Sequence, residues 1–288
     1  MKNILTVDLE DWFSVETMGT VFDQKDWNGL TSVVERNTHR ILRIFNEAEV
    51  KATFFVLGWV AENYPGLVSR IASAGHEIAC HSYLHRMVSS LNPDDFYRDT
   101  EMAISAIDAA CGVRPAGYRS PTWGMKRDML WAYEILADFG FIYDSSIFPI
   151  SHDLYGDPQA PRRVHELALS ENRKIIELPA STVMILGRRF PVAGGGWLRQ
   201  LPYWFTHWGI KKLNREGIPA IVYFHPWELD TDLPRVDLGW KNRIRQYGNL
   251  NTMESKVRKL LNDFDFLTIN EYIKYLKRPD NDSGAITG

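Results

Sequence analysis

Cysteine is nearly absent: Cys80 and Cys111 are the only two in 288 residues, and they form no CxxC pair. So sparse a usage reads as buried thiols in a reducing compartment rather than a structural disulfide. Long apolar runs are also missing. No stretch of 18 apolar residues occurs, so no membrane span is expected. At the N-terminus charge arrives at Asp8, which leaves no apolar signal-peptide core, and the expected location is cytoplasmic. Blocks of Lys or Arg are absent as well. With a net charge of −3, no nucleic-acid partner is expected from bulk charge.

What is present is ordinary for a folded domain: 45% hydrophobic and 24% charged residues. Ten tryptophans tilt the reading towards a carbohydrate ligand, since aromatic faces suit sugar rings. Short apolar runs alternate with helix-like segments. Strands are expected at 4–7, 51–57, 76–80, 116–119 and 141–144, with helices over 31–49, 61–74, 126–139 and from the cap Asn92-Pro93 to about Ala110. Such β-then-α repeats imply parallel strands joined by crossover helices. A Pro-rich segment, 148–163, then reads as a long loop. Strands are expected at 174–178 and 181–186, as a hairpin across Pro179-Ala180. After a flexible turn at Gly194-Gly195-Gly196 come a helix over 198–216, a strand over 219–224 and a helix over 252–264, before 266–269 and 271–276 close the fold. No linker splits the chain: one domain over 1–276 is expected, with a C-terminal helical extension, and 277–288 as a disordered tail.

The chemistry-bearing residues fall at the C-terminal ends of apolar runs: Asp8, His81, Arg119, Asp144 and His225. In a parallel barrel those ends share one face, where active sites are built. His81 and His85 stand four residues apart just after Ile78-Ala79-Cys80, and Asp8-Leu9-Glu10-Asp11 offers carboxylates at the end of the first run. Two imidazoles and a carboxylate make a three-ligand metal site with open positions, as hydrolytic centres require. Cys80 is excluded as a fourth ligand by strand alternation. Trp12, Trp123 and Trp197 flank these positions as candidate sugar-site walls.

Five motifs occur in order: Thr6-Val7-Asp8-Leu9-Glu10-Asp11, His81-Ser82-Tyr83-Leu84-His85, Arg119-Ser120-Pro121, Asp144-Ser145-Ser146 and Tyr223-Phe224-His225-Pro226. Together they resemble the NodB-type polysaccharide deacetylases, carbohydrate esterase family 4, and within them the subgroup of exosortase and exopolysaccharide loci. The resemblance covers about residues 1–276. It implies an α/β fold, the distorted (β/α)7 barrel of NodB homology, and a divalent metal, Zn2+ or Co2+. The implied substrate is an N-acetylated glycan or a lipid-linked saccharide. By the same resemblance Asp8 is the catalytic base and His225 the acid; Asp144 hydrogen-bonds His225, and Arg119 pairs with Asp8. The oxyanion is met by a backbone N–H near Thr122. The family's first motif has two adjacent aspartates, whereas Leu9 follows Asp8 here. The metal carboxylate is therefore Glu10 or Asp11, beside His81 and His85. Two other functions fit the residues: an allantoinase-like hydrolase of cyclic amides, and a glycan-binding protein without catalysis.

Overall fold

The computed structural model describes residues 1–152 and 155–277. The segment 278–288, nearly all of the expected tail, lies outside the described residues. The strands are β1 (Asn3–Leu9), β2 (Thr53–Val56), β3 (Glu77–Cys80), β4 (Gly117–Tyr118), β5 (Tyr143–Asp144), β6 (His165–Ala168), β7 (Lys174–Glu177), β8 (Thr182–Ile185), β9 (Arg188–Pro191), β10 (Ile221–Phe224) and β11 (Phe266–Leu267). The helices are α1 (Val34–Glu47), α2 (Gly58–Asn63), α3 (Pro65–Ser73), α4 (Pro93–Cys111), α5 (Leu130–Asp138), α6 (Gly195–Gln200), α7 (Tyr203–Arg215), α8 (Trp240–Tyr247), α9 (Leu250–Asp263) and α10 (Ile269–Leu276).

Seven strands run parallel in the order β10-β1-β2-β3-β4-β5-β7. The sheet curls into an α/β barrel that does not close. β10 forms one edge, and β6, antiparallel to β7, forms the other. β11 adds a short parallel pair to the start of β1. The distorted (β/α)7 architecture implied by the motifs is what the chain adopts. β1 to β3 are near-continuous apolar runs because parallel strands are covered on both faces. Side chains such as Val7, Phe54 and Ile78 enter one apolar cluster that extends to Phe266 and includes the inner faces of the helices.

Several local expectations change. The helix expected over 61–74 is α2 and α3, broken before Pro65, and the one over 198–216 is α6 and α7, broken at Pro202. A proline supplies no N–H to the preceding turn, so each starts or precedes a new helix. The hairpin is not across Pro179-Ala180; β8 pairs with β9 across Leu186-Gly187, and both turn residues have positive φ, as a tight hairpin turn requires. β7 instead joins the main sheet. Gly194-Gly195-Gly196 is not a free turn: α6 begins at Gly195, and Gly194 bridges to Tyr223 of β10.

Close approach rather than turn geometry explains Gly117 in β4. A Cβ there would lie 1.8 Å from Cζ of Tyr143, which is fully buried and donates its hydroxyl to Glu77 at 2.8 Å. Gly117→Ala should therefore destabilise the fold by about 1–3 kcal/mol through overpacking, read as a lower denaturant midpoint with unchanged slope.

Candidate active site

The ends of β1, β3, β4, β5 and β10 bring Asp8, Glu10, His81, Arg119, Asp144 and His225 to one face of the sheet. His85 joins them on the loop after β3. A cavity of about 190 Å³ opens on that face and is walled in part by Asp8, Glu10, His81, His85, Trp123 and His225. Trp227 also lines it, and so does Tyr155, carried in by the Pro-rich segment. Of the three flanking tryptophans, Trp123 reaches the cavity. Trp12 is buried and donates its indole N–H to the Thr31 carbonyl, and Trp197 packs beside Phe148 and Tyr223.

Glu10, His81 and His85 each offer one ligand atom, and these lie within 4.8 Å of one another. All three residues are buried. His81 Nδ1 donates to the Arg119 carbonyl at 2.7 Å, which is an acceptor only, so in the neutral ring Nε2 carries the free lone pair. Burial, with His85 beside it, pushes His81 down to about 3 and keeps it neutral. Burial alone would raise the Glu10 carboxyl, but the charges of His85 and His225 outweigh it and hold it below its usual range. Glu10 Oε2 stands 2.6 Å from His85 Nε2. One carboxylate and two imidazoles converging in a buried cluster are a donor set that fits a divalent cation of the zinc type.

Asp11 is not part of this cluster. Its carboxylate accepts from Ser32 at 2.5 Å and from the backbone N–H groups of Trp12, Val33 and Val34. It therefore caps the start of α1 from another strand, where unpaired N–H groups demand an acceptor. Between the two carboxylates left open by the sequence, the geometry favours Glu10.

Arg119 is fully buried and every nitrogen is used. Nη1 donates to Asp8 Oδ1 at 2.6 Å and to Thr6 Oγ1; Nε and Nη2 donate to the carbonyl and hydroxyl of Ser145. Its guanidinium also stacks 4.0 Å from the centroid of Phe55 and 4.4 Å from Trp123. The surrounding loops hold non-glycine residues at positive φ: Ser82, His85, Thr122 and Trp123. Such backbone is costly and collects at sites that the rest of the fold over-determines.

His225 does not meet Asp144, so that expected partnership is corrected. Its Nδ1 lies 2.9 Å from Glu228 Oε2, and the same oxygen accepts its backbone N–H at 3.1 Å. The pair closes because a 3₁₀ turn over Pro226–Leu229 follows β10 and puts the residue three positions on back over His225. Arg199 of α6, also buried, donates to the other Glu228 oxygen at 2.9 Å. Trp227 stacks on the imidazole. Burial lowers the imidazole, but Glu10, Glu228 and Asp8 together raise His225 to about 9. Burial raises Glu228, but His225 and Arg199 bring it down to about 2. His225 Nε2 faces Glu10 at 3.4 Å and Asp8 at 3.8 Å. Glu228 and Arg199 are the site residues missed from sequence. The spacing His225-x-x-Glu228 of a capping box was the available signal for the first; nothing local marks the second.

Asp144 instead bonds Ser146 and pairs with Glu177 at the end of β7. Burial raises both, Asp144 to about 6 and Glu177 well above its usual range, with Asp144 adding to the second. Two buried carboxyls this close share a proton.

Two outcomes test these assignments. Glu10→Gln should abolish tight binding of Zn2+ in equilibrium dialysis, whereas Asp11→Asn, which keeps an acceptor for the cap, should leave it intact; Asp11→Ala should cost about 1–2 kcal/mol of stability. Both carboxyls are raised, so the Asp144–Glu177 pair binds more protons folded than unfolded and subtracts stability as pH rises from about 4 into the neutral range. Glu177→Gln can donate to Asp144, and the fall in melting temperature over that window should be shallower than in the wild type.

Residues 14–138 match the family model Polysaccharide deacetylase, and residues 145–274 match Domain of unknown function (DUF3473). The first match carries His81, His85 and Arg119; Asp8 and Glu10 precede it, and His225 falls in the second. The chain is 30% identical to a Gibberella zeae peptidoglycan deacetylase-like protein over 40% of its length and 34% of that protein. It is 35% identical to the peptidoglycan-N-acetylglucosamine deacetylase of Bacillus cereus over 34% and 36% of the two chains, and 33% identical to a Bradyrhizobium chitooligosaccharide deacetylase over 35% and 43%. It thus spans roughly a third to two-fifths of the length of these relatives. Among solved structures, a Mycobacterium smegmatis protein assigned as a polysaccharide deacetylase superposes with a TM-score of 0.64 at 21% identity, covering 96% of this chain and 91% of that one. A peptidoglycan N-acetylglucosamine deacetylase superposes at 0.50 and 15% identity, covering 94% and 86%. Over residues 14–138 the chain is thus similar to the polysaccharide deacetylases, and over nearly its whole length it shares the fold of the solved structures.

Proposed function

We propose that the chain is a metal-dependent hydrolase that removes acetyl groups from the N-acetylated sugars of a polysaccharide or its precursor, as in the exopolysaccharide-locus subgroup. The observation that carries this reading is the convergence, on one cavity, of the Glu10/His81/His85 cluster with Asp8 on one flank and His225 on the other. Zn2+ or Co2+ held by those three residues supplies Lewis acidity to an amide carbonyl. Arg119 donates to one Asp8 oxygen and fixes the carboxylate at the cavity wall, so Asp8 acts as the base that takes a proton from the attacking water. Glu228 holds the proton of His225 on Nδ1 and stabilises the imidazolium, leaving Nε2–H to donate to the sugar nitrogen as the C–N bond breaks. Arg199 fixes Glu228 in turn. The aromatic walls, Trp123 and Trp227, give the sugar ring apolar faces.

Acetate should be released from N-acetylglucosamine oligomers or lipid-linked N-acetylated saccharides in the presence of Zn2+ or Co2+, and no release from any N-acetylated glycan would sink the reading. Asp8→Asn should keep its metal and lose about 10²-fold or more in kcat. His225→Ala should lose as much with an N-acetyl amine, yet far less with an aryl acetate whose leaving group needs no proton. Equal losses on both substrates would contradict the acid role.

A further inference from the structure

A second feature of the molecule concerns its outer surface rather than the cavity. The segment Leu178 to Arg215 contains no Asp or Glu and six Lys or Arg, and 238–253, bounded by Asp237 and Glu254, is also free of acid and holds three. In a chain with 36 acidic residues and a net charge of −3, this basicity is local. The first segment ends in α7, where Trp204, Trp208, Lys211 and Arg215 are exposed at spacings of four, three and four, and so form one stripe. The second contains α8, which buries only Gln246 and exposes Trp240 and Ile244 one turn apart, with Lys241, Arg243 and Arg245 around them. Trp204 is 68% and Trp240 70% exposed. Among the described residues none of these cations forms a salt bridge; Asp263, the acid near Lys211, is engaged by Tyr203.

The end of α6 that leads into α7 is tied to α8. Gln200, four residues before Trp204 and hence within about 15 Å of it, donates its side-chain amide to the Ile244 carbonyl at 2.9 Å. Arg199 likewise binds the carbonyls of Arg245, Gln246 and Gly248. Arg245 and Gln246 line the cavity, so α8 borders its mouth.

We propose that α7 and α8 seat the protein on an anionic lipid bilayer surface, with the cavity mouth beside the headgroups. Exposed tryptophan among Lys and Arg, with no acid in either segment's own sequence, is the combination suited to the boundary between headgroups and acyl chains. Charge complementarity supplies the attraction, at long range through the cations and at contact through the indoles.

The test is co-sedimentation of the full chain with vesicles of phosphatidylcholine alone and of phosphatidylcholine mixed with phosphatidylglycerol, at low and high salt. Binding should require the anionic lipid and weaken with salt. Lys241→Gln and Arg243→Gln should each weaken it roughly fivefold. Trp204→Ala combined with Trp240→Ala should weaken it about tenfold or more. Circular dichroism checks that these variants remain folded, and acetate release from a soluble substrate should be unchanged in all of them, which keeps the readout apart from the hydrolase reading. Absence of binding to anionic vesicles at low salt would overturn the proposal, as would binding untouched by the four substitutions. Quenching of Trp240 by a soluble glycan, without vesicle binding, would assign the patch to sugar instead.

Discussion

One buried guanidinium organises the catalytic face. Arg119 follows β4 and has no water to satisfy it, so its donors must find acceptors inside the protein. They find them on two other strand ends: Thr6 and Asp8 of β1, and Ser145 just past β5. Its own carbonyl accepts the Nδ1 proton of His81 after β3. A single residue thereby fixes the direction of the Asp8 carboxylate and the tautomer of His81, and ties together the ends of β1, β3, β4 and β5, where the two-residue strands β4 and β5 have few ladder bonds. The ion pair is geometrically tight because breaking either partner would leave an unpaired buried charge, which costs about 3–5 kcal/mol.

The polar network divides into two halves that do not share members. On one side Asp8, His225, Glu228 and Arg199 alternate in charge from β1 to α6, ending on the carbonyls beyond α8. On the other, Asp144 and Glu177 face each other at the ends of β5 and β7, each raised by burial. The resemblance assigned Asp144 to the first half. It cannot serve there because its oxygens are taken by Ser146 and Glu177, and because the turn after β10 delivers a nearer carboxylate from the histidine's own segment. The same charge arrangement around an imidazole is thus reached from a different strand.

Much of this was legible in the chain. Parallel strands buried on both faces read as apolar runs, and every strand-end residue singled out by that rule does lie at a strand end. The helix breaks at Pro65 and Pro202 were legible too, since the proline rule is local, but amphipathic spacing on either side masked them. The β8–β9 turn was not legible. Leu186-Gly187 carries only one of the residues that favour positive φ, whereas Pro179 offers a stronger turn signal that the main sheet overrides. Arg199 was out of reach for another reason. Its partner Glu228 is 29 positions away, and no local rule links a residue in a short helix to a turn after a strand.

The choice between Glu10 and Asp11 shows how far period-two reasoning extends past the end of a strand. Asp8 and Glu10 are two apart and both line the cavity, although at the end of β1 the Glu10 N–H turns back to the Asp8 carbonyl at 3.0 Å. Leu9 and Asp11 then fall on the opposite side, between sheet and helices. Leu9 is apolar and enters the core, so it needs nothing more. Asp11 is charged and must be satisfied there, and the first turn of α1 supplies the donors, with burial raising its carboxyl above the usual range despite them. The departure from paired aspartates is therefore a displacement of one residue along a strand. It puts the carboxylate that meets His81 and His85 at position 10, on the same side as Asp8, and leaves Asp11 to cap α1.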